Sequence, residues 1–307
     1  MSAASRHIDP HHARLLRLAT NASVATALLL IGVKCAAWLL TGSVSVLASL
    51  VDSLMDVLAS LINLVAVRYS LKSADEDHQF GHGKAEALAG LGQACFIIGS
   101  AIFLVIQALA RLATPTPLTA IDVGIGVMLF AILATLALLA IQRHVVKQTD
   151  STAIRADSLH YATDLLTNSA TIIALLLARS GWPGLDPLFA LAIAAYILYS
   201  AGRIGYEATQ LLMDRELPVE VRQRIQEIAT SHDQVLGIHD LRTRRSGQTS
   251  VIQLHLDLED LLPLAAAHAI SREVEARIRA EFPSSDIIIH QDPVQPEKNR
   301  PLNPSGR

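Results

Sequence analysis

Val51-Asp52-Ser53-Leu54-Met55-Asp56 and Leu159-His160-Tyr161-Ala162-Thr163-Asp164 each hold two ionisable side chains four residues apart inside an apolar stretch. On a helix that spacing puts both members on one face, with about 6 Å of rise between them. Two aspartates so placed repel each other unless a cation lies between them. If the two faces meet, three carboxylates and one imidazole converge. That donor set suits a four-coordinate borderline cation such as zinc and tolerates cadmium or ferrous iron. Calcium or magnesium would ask for more oxygens and more water. His160 speaks against manganese, which favours oxygen-only coordination, as the preferred ion. Ligation requires ionised carboxylates and a neutral imidazole, and an unperturbed imidazole titrates at about pH 6.5. Metal and protons therefore compete for one site, which is the physical basis of an antiporter. A vacant site with three ionised carboxylates would be costly to turn through a bilayer, so at least one proton is expected on the returning form.

The elements that must position these residues read as membrane helices. An Asp near a bilayer centre costs on the order of 2.5–3.5 kcal/mol on insertion scales. A single one can snorkel or hydrogen-bond within the membrane, but two matched pairs point to function. Of 307 residues 51% are hydrophobic and 17% charged, against a soluble norm of about 25% charged, and the apolar excess lies before residue 213. Six stretches reach the roughly 20 apolar residues a spanning helix needs, at approximately 18–40, 44–69, 86–111, 119–142, 158–179 and 187–212. Turn and breaker signals separate them: Thr41-Gly42-Ser43, the polar run 72–84, Pro115 and Pro117, the polar run 147–157, and Gly181-Trp182-Pro183-Gly184. The first stretch is too long for a cleavable signal peptide and lacks a small-residue cleavage site. Arg6, Arg14, Arg17, Arg68, Lys72, Lys84, Arg143, Lys147 and Arg155 gather on one side, whereas the opposite connections carry only Arg111 and Arg179 at their edges. Both termini are therefore predicted to be cytoplasmic, with residues 1–17 forming an N-terminal arm.

From about Leu217 the pattern turns soluble. Residues 218–231 read as an amphipathic helix that begins at Pro218. Strands follow at 235–245 and 249–259 around the hairpin signal Ser246-Gly247-Gln248, then a helix at 263–281 and a strand at 286–290. The order αββαβ predicts a small two-layer α+β domain over 214–293, with its helices on one face of the sheet and a disordered tail at 294–307. A net charge of -3 offers no basic field for nucleic acid. There is no nucleotide-binding loop and no catalytic constellation outside the metal candidates, so neither an ATP-driven pump nor an enzyme is expected. No organic cofactor is expected either. Cys35 and Cys95 lie in apolar runs and read as small buried hydrophobes. Of the twelve histidines, His7, His11 and His12 fall in the arm, and His144 and His232 read as surface residues. Arg155 and Asp157 read as markers of the cytoplasmic end of the fifth helix.

Taken together, the six-helix layout, Asp52-Ser53-Leu54-Met55-Asp56, Phe80-Gly81-His82-Gly83-Lys84-Ala85-Glu86, Arg155-Ala156-Asp157-Ser158-Leu159-His160 with Asp164, and Ile289-His290-Gln291-Asp292-Pro293 resemble the cation diffusion facilitator family. The match is to its dimeric bacterial zinc and ferrous-iron efflux branch and runs from about residue 18 to 293. The resemblance implies a homodimer in the bacterial inner membrane, exchanging cytoplasmic divalent metal for external protons, with a ferredoxin-like cytoplasmic domain. It implies a transport site at Asp52, Asp56, His160 and Asp164, the four already reached. It implies a weaker loop site at Asp75, His78 and His82, in a segment that reads equally as a solvated acidic loop. It implies a cytoplasmic binuclear site at His239, His255, His268, His290 and Asp292, where zinc would be a structural and regulatory ion. It also implies a hinge ion pair between Lys84 and Asp214. A manganese-preferring exporter and a membrane sensor that binds metal without moving it are the alternative readings.

Overall fold

The computed structural model describes residues 9–41, 44–113, 122–179 and 186–294. The chain divides into two compact units, Asp9–Leu212 and the residues from Met213 onward. The expected disordered tail lies outside the described residues apart from Val294, as does the arm up to residue 8.

Six long helices make the first unit: α1 (Pro10–Thr41), α2 (Val44–Ser70), α3 (Lys84–Ala113), α4 (Asp122–Thr149), α5 (Thr152–Arg179) and α6 (Asp186–Leu212). Helix α1 starts well before its apolar stretch. Asp9 caps it, its carboxylate accepting from the His11 amide at 2.8 Å, and Pro10 suits the first turn. Leu16 and Ala19 then bury against Val67, Val145 and Ile154 of other helices, which holds the added turns in place. The polar run 147–157 likewise shrinks to a break at Asp150 and Ser151. Asp150 has a positive φ of 48°, and the Ser151 hydroxyl accepts from the Ile154 amide at 3.3 Å to start α5.

The packing is inverted relative to a soluble bundle. Between α3, α5 and α6 the contact is built from Ala94, Ala101, Ala156 and Ala201 with Ile97, Ile197 and Ile204, the small-residue seam typical of helices packed in lipid. Ser23, Ser53, Ser60, Asn63, Gln93 and Gln142 are buried, while Leu39, Leu40, Ile62, Val65 and Leu133 face outward. A bilayer is the solvent that makes this arrangement favourable. Five segments among the described residues are long and apolar enough to cross a membrane: Pro10–Leu40, Ser53–Ser70, Lys84–Ala110, Gly126–Thr149 and Leu188–Leu212. Helix α5 is not among them; Arg155, Asp157, His160 and Asp164 crowd its first half. The cysteines are unbridged; Cys35 is half-buried, but Cys95 is exposed, a small hydrophobe on the bundle's outer surface rather than in its core.

The second unit follows the expected order: α7 (Val219–Thr230), β1 (Gly237–Ser246), β2 (Thr249–Leu258), α8 (Leu264–Glu281) and β3 (Ser285–Pro293). The sheet runs β1-β2-β3, with β1 and β2 antiparallel around Gly247, whose φ of 58° suits the tight turn, and β2 and β3 parallel across the α8 connection. Alternation along β2 sends Ile252, Leu254, Leu256 and Leu258 into one core with Ile225 and Ile228 of α7 and Ile270, Val274 and Ile278 of α8. Gln253, His255 and Asp257 are thereby turned to the opposite face. His232, expected at the surface, is buried instead, and its Nε2 meets Glu273 of α8 at 3.1 Å.

Candidate metal centres

Helices α2 and α5 bring the membrane residues together. The His160 Nε2 and Asp56 Oδ1 lie 3.1 Å apart. Asp56, His160 and Asp164 each offer a ligand atom within 4.8 Å of the others. Asp52 precedes Asp56 by one turn on α2, and its side chain lies outside the described residues. His160 is buried, with the Phe96 ring packed edge-on at 6.0 Å. The group consists of acceptors and an imidazole gathered at one point, which is what a cation needs.

One turn before His160, Asp157 is handled differently. It is 0% exposed. The Ser23 hydroxyl of α1 donates to its Oδ2 at 2.5 Å, the Gln142 amide of α4 donates to the same oxygen at 2.7 Å, and the Gln93 amide of α3 donates to Oδ1 at 3.1 Å. Next to it, the Tyr161 hydroxyl meets Ser60 of α2 at 2.8 Å and donates to the Ser23 carbonyl at 3.2 Å. Asp157 thus does more than mark a helix end; with Tyr161 it ties α5 to four other helices. Reading the chain residue by residue missed this, because its donors are neutral Ser and Gln on separate helices.

The loop before α3 holds the second group. Asp75 Oδ2 lies 3.3 Å from His82 Nε2, Asp75 Oδ1 lies 3.4 Å from His78 Nδ1, and the three ligand atoms converge within 4.8 Å. Gly81, at φ 77°, allows the turn in which its amide donates to the His78 carbonyl at 2.9 Å. His82 is 4% exposed, lies against Tyr69, and has both ring nitrogens without a hydrogen-bond partner. Orphaned buried nitrogens beside a carboxylate fit a metal ligand. Lys72 Nζ also reaches Asp75 Oδ2, at 2.6 Å, and this bond together with the His78 amide holds the Asp75 carboxyl well below the usual range. The same contact raises the Lys72 ammonium.

In the second unit the sheet register makes the third group. His239 pairs with His255 across β1 and β2, and His255 with His290 across β2 and β3, so three histidines from distant positions form one row. A bulge between His239 and Arg242, with Asp240 at φ 46°, sets the end of that row. Asp292 Oδ2 lies 2.7 Å from His255 Nδ1 and 3.2 Å from His239 Nε2, and its Oδ1 lies 3.1 Å from His290 Nε2. His239, His255 and Asp292 converge within 4.8 Å. Partial burial works to raise Asp292, but the His255 hydrogen bond and the neighbouring imidazoles outweigh it and hold the carboxyl below its ordinary value. Asp257 joins the row 3.0 Å from His239 Nδ1; only the alternation of β2 could have singled it out beforehand. His268 stands exposed on α8 and is not part of the converging group. A row of imidazoles around one shared carboxylate is a donor set that could hold a metal ion.

Lys84 and Asp214, expected from the resemblance to pair with each other, each have a contact inside their own unit. Lys84 Nζ donates to the Leu212 carbonyl at 3.3 Å, and Arg244 donates to Asp214 Oδ1 at 3.2 Å.

With this geometry in view, residues 21–213 match the cation efflux transmembrane domain, and residues 217–294 match the cytoplasmic domain of cation efflux proteins. The chain belongs to the cation diffusion facilitator family. It is 54% identical over 286 residues to the cation-efflux pump FieF of Yersinia pestis (strain Pestoides F), covering 93% of this chain and 95% of that one. The FieF pump of Yersinia pseudotuberculosis serotype O:3 (strain YPIII) gives the same identity and coverage. A chain solved as the candidate zinc transporter CzrB is 32% identical, covering 26% of this chain and 99% of that one with a TM-score of 0.25, a likeness too partial to bear on the fold. The protein is therefore a multi-pass membrane transporter for cation efflux, not an enzyme. The small α+β unit is its cytoplasmic domain.

Proposed function

We propose that this protein is a homodimeric divalent metal/proton antiporter that exports zinc, and also cadmium and ferrous iron, from the cytoplasm by alternating access. The observation that carries this reading is the convergence of Asp56, His160 and Asp164 from α2 and α5. With Asp52 they form a three-carboxylate, one-imidazole set matched to zinc. The imidazole argues against manganese as first choice. Cytoplasmic metal enters as the site gives up protons, the bundle rocks, and external protons displace the metal. Helix α5 is the sixth span, admitted despite its charges because Arg155 is ion-paired with Glu207, Asp157 is hydrogen-bonded, and His160 and Asp164 bind cargo. The bacterial inner membrane with both termini cytoplasmic fits the arginine and lysine distribution. Dimerisation through the second unit is supported by the ZT_dimer family it matches. In that unit His239, His255 and Asp292 would hold zinc, with His290 and Asp257 beside them, and a bound ion there would brace the domains and bias the bundle. Pairing of Lys84 with Asp214 at the hinge, and service of Asp75, His78 and His82 as a weaker loop site, complete the proposal.

Zinc flux into proteoliposomes under an imposed pH gradient tests it. Flux that rises with the opposing proton gradient supports exchange. Flux indifferent to the gradient overturns antiport, and zinc binding without any flux would make the protein a sensor.

A further inference from the structure

Helix α1 carries Lys34 in its apolar second half, between Val33 and Cys35. An ammonium there is as expensive as a carboxylate, and such a residue is a functional candidate by default. Its Nζ donates to Ser53 Oγ at 2.6 Å. Ser53 is 1% exposed and belongs to α2, next in sequence to Asp52 and three residues before Asp56. Three residues on a helix is a neighbouring position on one face. The bond therefore tethers a cation within one turn of both acids that α2 contributes to the membrane site.

We propose that Lys34 is a built-in counter-cation of that site, tuning it for divalent cargo and for release. This rests on the transport reading given above. Three ionised carboxylates carry three negative charges; Lys34 offsets one, and a divalent ion offsets the other two. The loaded site is then neutral, the state that crosses a low-dielectric interior most easily, while a monovalent ion leaves it negative. The same positive charge repels the bound metal through a weakly screening medium. The site thus holds its cargo less tightly than its ligands alone would, and the cargo can leave on the far side. Ser53 keeps the ammonium close without taking a ligand position itself.

The test measures zinc and cadmium binding at pH 8 by calorimetry. It uses the full-length protein in lipid nanodiscs, on a background with the loop and cytoplasmic groups disabled by His82→Ala and His255→Ala. Lys34→Met removes the charge, keeps the side chain's length and is compatible with lipid. It is expected to bind both metals at least about tenfold more tightly and to release them more slowly. Lys34→Arg, which keeps the charge, is expected to stay within about threefold of the parent; a purely structural role for Lys34 would not separate Arg from Met by charge. Unchanged affinity in Lys34→Met overturns the counter-cation. Absence of any metal binding in the background protein that Asp56→Asn removes would instead overturn the transport reading on which it rests.

Discussion

Asp157 and Asp164 stand two turns apart in the first half of α5, yet the bundle surrounds them in opposite ways. Around Asp157 the neighbouring helices supply donors: a serine hydroxyl from α1 and two glutamine amides from α3 and α4. Around Asp164 the surroundings supply other candidate ligands instead, Asp56 from α2 and His160 from α5 itself, whose ligand atoms lie within 4.8 Å of its own and of each other. Donors satisfy a buried carboxylate and turn it into a structural tie. Acceptors concentrate negative charge and leave the site asking for a cation. The same side chain on the same helix is thus a tie or a ligand according to what its neighbours can give, and the type of residue alone does not decide it.

The sharpest break in this comparison is in transport. Asp164→Ala should abolish zinc flux in proteoliposomes while thermal unfolding in detergent stays the same or shifts upward, since a half-buried acid beside another acid is removed. Wild-type flux in that variant would remove Asp164 from the cargo site. Asp157→Ala should do the reverse. It strands the Ser23 hydroxyl and the Gln93 and Gln142 amides in the interior, at about 1–3 kcal/mol for each orphan that finds no other partner. The protein should unfold at a temperature several degrees lower, and Asp157→Asn, which keeps an acceptor oxygen, should recover part of the loss. Equal unfolding temperatures for Asp157→Ala and the parent would show that the tie carries no stability.

How far the chain could be read in advance follows the same contrast. The convergence of Asp56, His160 and Asp164 was legible because acids and a histidine spaced four apart in apolar helices have few innocent explanations. Asp157 was not, since Ser23, Gln93 and Gln142 look ordinary until the helices pack. The αββαβ order was legible from alternation and the Ser246-Gly247-Gln248 turn, but the histidine row was not. His239, His255 and His290 are far apart in sequence and align only through strand register and one bulge. Asp257 went unnoticed because spacing alone does not say which face of the sheet a residue meets, and His268 came from the family resemblance rather than from any spacing. Lys34 carried the plainest signal of all, a charge in an apolar run, and its neighbour on α2 appears only with the fold.

The cytoplasmic group lies between the two extremes, with imidazoles gathered on a carboxylate that they partly satisfy. His255→Ala should cut zinc binding to this group by more than about tenfold, because its Nδ1 holds Asp292 at 2.7 Å and a lost ligand or orienting partner typically costs that much. Flux at saturating zinc should fall less than in Asp164→Ala. If the dependence of flux on cytoplasmic zinc is untouched, the proposed link between the domain and the bundle fails.

The smallest effect is expected in the loop, where Asp75 has a donor and would-be co-ligands at once. Lys72 occupies Oδ2 at 2.6 Å, the oxygen that also faces His82 at 3.3 Å, so a metal arriving there must displace an ammonium. Removing the lysine lets the Asp75 carboxyl rise back toward its ordinary value, near 3.9 for an unperturbed Asp. The depressed acid is ionised at neutral pH, and so is the restored one; protonation therefore does not mask the result at pH 7. Lys72→Gln should accordingly tighten zinc or cadmium binding at the loop by about threefold, the scale of an exposed ion pair. The gain should shrink at high salt, where the lysine's competition is already screened. A competition titration against a zinc indicator, with Asp56→Asn and His255→Ala silencing the other two groups, reads it directly. Equal affinities for the parent and the Lys72→Gln variant at low salt would mean that the ammonium swings away at no cost, and that Asp75 belongs with the ligands rather than with the ties.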